Sequence, residues 1–147
     1  MAYRDLAYYQ YCFLNLRVNK VANKLSPHKP LLLLSVIGLV ETGTITSTRV
    51  TLSKELIETF ATNALLYASH LDHFHPNIGM PFFYMRSEPF WKLVPKEEGV
   101  IPIANTLQSL HRYYKYAEID RELFDLLLND DNRQQLRNIL IGIYLNK

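Results

Sequence analysis

The sequence predicts a mainly α-helical (α+β) fold, a single helical domain with a small antiparallel β-hairpin or sheet. Three observations predict it. Lys29 to Glu41 is apolar nearly all round, as a central buried helix requires. Lys54 to Ser69 and Asn132 to Leu145 space their apolar residues helically. The clearest strand-like stretches are short aromatic runs, Phe82 to Arg86 and Phe90 to Val94.

In chain order, Ala2 to Leu16 is rich in Tyr, Leu and Phe and reads as a first helix whose aromatics feed the core. Arg17 to Lys24 reads as a cationic, asparagine-containing loop. Pro27 and Pro30 mark the start of the buried helix, since proline is tolerated in a first turn, and Thr42-Gly43 ends it. Arg49 to Leu52 has the makings of a short strand. Ser53 is a good N-cap for the helix from Lys54. His70 to Met80 reads as a loop. The two aromatic runs around Ser87-Glu88-Pro89 read as an antiparallel hairpin, and Pro95 to Pro102 as a connector. Asn105 is the expected cap of a short helix through Arg112, and Asp120 of another, Arg121 to Leu128. Asn129 to Asp131 reads as a break before the last amphipathic helix.

Length and composition narrow the function. A chain of 147 residues is expected to form one domain, 1–147. A hydrophobic share of 48% supplies a core and excludes disorder. The net charge of +2 is too small to argue for nucleic acid by itself, so any basic patch has to be local. The single cysteine, Cys12, excludes an internal disulfide and a cysteine-rich zinc site, and reads as a small apolar filler. The longest apolar run, Leu31 to Val40, is about half a membrane span. A cytoplasmic protein without membrane contact is expected.

Enzyme signatures are missing from the sequence. There is no glycine-rich phosphate loop, no nucleophile elbow and no acidic-lysine nuclease motif. No catalytic residue, metal site or cofactor emerges. His70, Asp72, His73 and His75 form a dense cluster that a metal would need to converge, but no second ligand group accompanies it. Basic residues interleave with prolines and aromatics in three places: Arg17, Lys20, Lys24, His28 and Lys29; Arg86 and Lys92; and His111, Arg112 and Lys115 among Tyr113, Tyr114 and Tyr116. Backbone contact plus stacking requires this pairing. Near Lys29 a helix start offers amides and a positive dipole end to an anion. Arg86, Arg112 and the asparagine and arginine residues of the loop are candidates for reading bases. A binding module for a modified nucleic-acid backbone is therefore expected, not an enzyme.

Three segments carry a resemblance. Ser26-Pro-His-Lys-Pro-Leu-Leu-Leu-Leu, Pro81-Phe-Phe-Tyr-Met-Arg-Ser-Glu-Pro-Phe-Trp-Lys-Leu and Tyr116-Ala-Glu-Ile-Asp-Arg-Glu-Leu-Phe resemble the N-terminal domain of bacterial HNH restriction endonucleases. That domain is similar to the sulfur-binding domain of type IV restriction enzymes, which recognises phosphorothioate DNA. The resemblance spans roughly Leu6 to Leu145 and leaves out the HNH nuclease domain. It implies double-stranded phosphorothioate DNA as partner and a fused or associated HNH nuclease. It also implies a sulfur pocket lined by Met80, Pro81, Tyr84, His28 and Lys29. Backbone or base contacts would come from Arg17, Lys20, Lys24, Ser26, Arg86, Arg112 and Lys115. Two positions depart from the family pattern: Met80 stands where tyrosine is frequent, and Tyr84 where a small residue is frequent.

The chemistry is coherent on its own terms. Sulfur in place of a phosphate oxygen is larger, more polarisable and a poorer hydrogen-bond acceptor. Burying an unsatisfied oxygen costs roughly 1–3 kcal/mol, whereas sulfur gains dispersion contact with a thioether or proline ring. That range corresponds to about tenfold to a hundredfold discrimination. Two other readings stay open: a DNA-binding domain blind to sulfur, and a metal hydrolase built on His70, His73 and His75.

Overall fold

The apolar sequence of α2 (His28–Glu41) sets the architecture. Every residue from Lys29 to Val40 except Gly38 is buried, so the helix is surrounded on all sides. The computed structural model describes residues 4–21, 24–71, 75–99 and 103–145. Against α2 pack α3 (Lys54–Ala68), α4 (Gly79–Tyr84), α6 (Arg121–Leu127) and α7 (Asp130–Leu140), the last continued by a π-helical turn Ile141–Leu145; α1 (Leu6–Leu14) lies on α6 and α7, and α5 (Leu107–Tyr113) on α4. β1 (Lys20–Val21) and β2 (Lys24–Leu25) form a two-residue antiparallel ribbon. β3 (Arg49–Val50), β4 (Trp91–Pro95) and β5 (Tyr114–Ile119) form a three-stranded antiparallel sheet in the order β3-β5-β4.

Local chemistry explains most boundaries. Asp5 accepts the Tyr8 N–H and caps α1, which begins later than the sequence implied; Ala2 and Tyr3 lie outside the described residues. Ser53 caps α3 by accepting the Leu56 N–H, as expected. Gly43 takes φ +79°, the left-handed turn after α2 that favours glycine. Inside the core, the Ser35 hydroxyl donates to the Leu31 carbonyl and accepts from the Asn63 amide, so the one polar side chain midway along α2 is satisfied.

Several expectations are corrected. Phe82 to Arg86 is not a strand and forms no hairpin with Phe90 to Val94. It belongs to α4 and a following 3-10 turn, Met85–Ser87. The reason is packing. Phe82 and Phe83 are both buried, while Met80 and Tyr84 point outward four residues apart, an arrangement a helix provides. β4 pairs instead with β5, Leu93 opposite Ala117, across a long sequence separation. β5 itself falls where no element was assigned, although Ala117 and Ile119 are buried alternately along it. Thr106, not Asn105, caps α5, in a reciprocal box with Ser109. Asp120 makes no capping bond; its carboxylate accepts from Arg4 and from the Tyr9 hydroxyl, both at 2.7 Å. Asn129 is the N-cap of α7, so Asn129 to Asp131 is a helix start and not a break.

α4 is held rigidly. The Trp91 indole N–H donates to the Phe82 carbonyl at 3.2 Å, and the two rings meet edge to face. Asn77 accepts the Gly79 N–H at the helix start. A Cβ on Gly79 would stand 2.6 Å from the Asn105 carbonyl oxygen and 2.9 Å from Thr106 Cα, so glycine is required where α4 crosses the approach to α5.

Candidate nucleic-acid interface

Two helix starts and one loop meet at an open cavity of about 550 Å³. Its lining includes Met80, Pro81 and Tyr84 from α4, His28 and Lys29 from the start of α2, and Arg17, Val18 and Asn19 from the loop after α1. Ser26, Arg86 and Ser87 complete it. The β1–β2 ribbon folds the loop back: the Ser26 N–H donates to the Asn19 carbonyl at 2.7 Å, closing it beside the cavity. Segments more than fifty residues apart in sequence thus share one surface.

The wall from α4 is apolar. Pro81 is buried in the first turn, where its missing N–H costs no hydrogen bond. Met80 is 40% exposed and Tyr84 38% exposed, so a thioether and a phenol ring stand ready for contact on either side of the proline. Tyr84 is steadied by an edge-to-face contact with Phe83 and by its hydroxyl, which accepts from the Asn105 amide at 3.4 Å.

The wall from α2 is polar and already organised. The His28 Nε2–H donates to the His75 carbonyl at 3.1 Å, and its Nδ1 accepts the Ser26 hydroxyl at 3.0 Å. Since a carbonyl only accepts, this fixes the tautomer of the neutral ring. Burial pushes the His28 pKa below its ordinary value. Lys29 is 7% exposed, and its ammonium donates to Glu88 Oε2 at 2.7 Å and to the Ser87 hydroxyl at 2.9 Å. Its charge is therefore matched within the protein. Arg17 and Arg86 are the exposed cations of the lining, and Arg86 lies 4.2 Å over the Phe83 ring.

Eight of the sequence-derived candidates meet at this cavity: Arg17, Ser26, His28, Lys29, Met80, Pro81, Tyr84 and Arg86. Lys20 is exposed on β1 and does not line it. The Lys24 side chain lies outside the described residues. Arg112 sits on α5 with its guanidinium over the Tyr113 ring, and Lys115 on β5; neither lines the cavity. Of the histidine cluster, Asp72 and His73 lie outside the described residues, while His70 and His75 are exposed. Among the described residues no three His, Cys, Asp or Glu side chains converge as a metal site. Sequence reasoning missed Val18, Ser87 and above all Glu88, which it placed in a turn. The available signal was a pair of opposite charges, Lys29 just before Pro30 and the leucines and Glu88 just before Pro89, Phe90 and Trp91, each in need of a partner if buried.

The profile of the ScoMcrA-like DNA sulfur-binding domain matches residues 11–147, and the chain belongs to that family. Solved structures share its fold. The sulfur binding domain of SprMcrA complexed with phosphorothioated DNA superposes with a TM-score of 0.70 at 16% identity, covering 96% of this chain and 86% of that one. The corresponding ScoMcrA domain, also complexed with phosphorothioated DNA, gives 0.66 at 17% identity, covering 92% and 86%. The type IV phosphorothioation-dependent restriction endonuclease ScoMcrA gives 0.68 at 19% identity; 92% of this chain is covered but only 29% of that one. No curated protein matches the chain. Among the described residues no helix is long and apolar enough to cross a membrane.

Proposed function

We propose that this domain, 1–147, recognises double-stranded DNA carrying a backbone phosphorothioate and performs no chemistry itself. The sulfur is received in the cavity between α4 and the start of α2. The observation that carries this reading is the two-faced lining: Met80, Pro81 and Tyr84 on one side, the His28–Lys29 helix start on the other, with exposed arginines beside them. The Met80 thioether and the Pro81 ring give dispersion contact to sulfur and offer oxygen no hydrogen bond. Arg17 and Arg86 attract the flanking phosphates whatever their substituent. Family membership and the DNA complexes of the structural relatives support the same reading.

The domain acts as the specificity module of a modification-dependent restriction enzyme, with a fused or associated HNH nuclease working on DNA in the cytoplasm. The chain's coverage of 29% of a full-length endonuclease of this fold supports that arrangement. Fluorescence anisotropy with matched duplexes, one bearing a single phosphorothioate, tests the proposal. The modified duplex is expected to bind at least tenfold more tightly at moderate salt. Equal affinities would leave a DNA-binding domain blind to sulfur.

A further inference from the structure

We propose that Glu88 is a specificity-determining residue: by closing an ion pair on Lys29, it withholds that cation from ordinary phosphate oxygens. The inference rests on the reading of the cavity as a phosphorothioate site, and concerns its charge where that reading concerns its apolar wall. Among the described residues, Lys29 and Glu88 are the buried charged side chains. Glu88 is 4% exposed, and its Oε2 accepts both the Lys29 ammonium at 2.7 Å and the Arg17 backbone N–H at 2.9 Å. One carboxylate oxygen thereby fastens the α2 start and the Arg17 loop to the end of the 3-10 turn that follows α4. Ser87 takes a second ammonium proton at 2.9 Å, so two of the three N–H donors end on the protein.

The selectivity argument follows from donor strength. An unpaired ammonium in the cavity lining is a charge-assisted donor to any phosphate oxygen. Oxygen is the better acceptor, so such a donor would strengthen binding of ordinary DNA and erode selection by the apolar wall. Paired with Glu88, the site sums to zero charge. Attraction to the backbone is then left to the exposed Arg17 and Arg86. Lys29 keeps its stem against the cavity and its position in α2.

The test is Glu88→Gln, which removes the carboxylate charge and retains an acceptor for the Arg17 N–H. Affinities for the matched modified and unmodified duplexes are read across a salt series, with circular dichroism establishing that the variant is folded. One uncovered cation is expected to steepen the salt dependence on the unmodified duplex by about 0.9, equal to roughly eightfold tighter binding at about 0.1 M salt. The preference for the modified duplex is expected to fall several-fold. A purely structural tie between turn and helix moves neither readout in a folded protein. If Glu88→Gln does not fold, Glu88→Asp keeps the charge but withdraws it by one methylene. It is expected to shift slope and preference the same way by less, and two unchanged values overturn the proposal. Wild-type protein that binds both duplexes equally defeats the sulfur reading and this role with it. A selective wild type whose Glu88 variants keep slope and preference defeats the charge masking alone.

Discussion

Truncating Met80 separates the apolar wall from everything else the cavity does. Met80 lies on the outer face of α4 and is 40% exposed, so Met80→Ala opens no hole in the core and replaces a helical residue with a better helix former. What is lost is the thioether beyond Cβ. If it covers about 40 Å² of apolar surface together with a bound sulfur, its loss weakens modified-DNA binding by about 1 kcal/mol, roughly fivefold. The contribution to unmodified DNA is smaller, because the contact with a hydrated oxygen is not made. The ratio of the two dissociation constants, measured by anisotropy at fixed salt, is therefore expected to fall about three- to fivefold with an unchanged melting temperature. Parallel weakening of both duplexes, or no weakening of either, would refute the placement of the sulfur against Met80. Pro81→Ala is expected to act in the same direction, but Pro81 is buried in the first turn of α4, so its melting temperature must be read alongside.

Arg17→Ala, which leaves the backbone N–H to Glu88 intact, is expected to weaken both duplexes alike and flatten the salt dependence by about 0.9; a slope equal to the wild type's would remove Arg17 from the phosphate contacts. Gly79→Ala forces a methyl to within 2.6 Å of the Asn105 carbonyl oxygen, and is expected to destabilise the protein by about 2–3 kcal/mol in urea unfolding, with a loss under about 0.5 kcal/mol contradicting the close approach. Because burial lowers the His28 pKa below its ordinary 6.5, the unfolded chain binds more protons at this site as pH falls below that value, so stability declines with acidification there. Urea midpoints at pH 7.5 and 5.5 are expected to drop more for wild type than for His28→Gln; equal drops would show that His28 is not responsible.

The buried helix was legible because it is apolar on every side, and a helix of that kind has one place to go. The α3 cap was equally plain, since Ser53 acts on its own first turn. What failed were the elements whose identity depends on distant partners. The aromatics from Phe82 to Trp91 suit a strand and a buried helix equally. The deciding facts, Trp91 donating to the Phe82 carbonyl and Leu93 pairing with Ala117, arise only on packing. β5 was invisible for the same reason: its neighbours lie far from it in sequence. Asp120 looked like a helix cap, but Arg4 and Tyr9 claim its carboxylate from 116 and 111 residues away. At the cavity, residue types and motif resemblance pointed to His28, Met80, Pro81 and Tyr84, and the structure lines one cavity with all four. They gave no warning that Lys29 would arrive already neutralised, because its partner Glu88 lies 59 residues on.

Recognition of the sulfur by this cavity is tested most sharply by the position of the sulfur itself in crystals of this domain with a duplex bearing one phosphorothioate. The sulfur is expected inside the cavity, in van der Waals contact with Met80 and the Pro81 ring. Lys29 should remain on Glu88, and Arg17 and Arg86 should lie beside the flanking phosphates. A sulfur turned to solvent, or seated on another face of the domain, would contradict it.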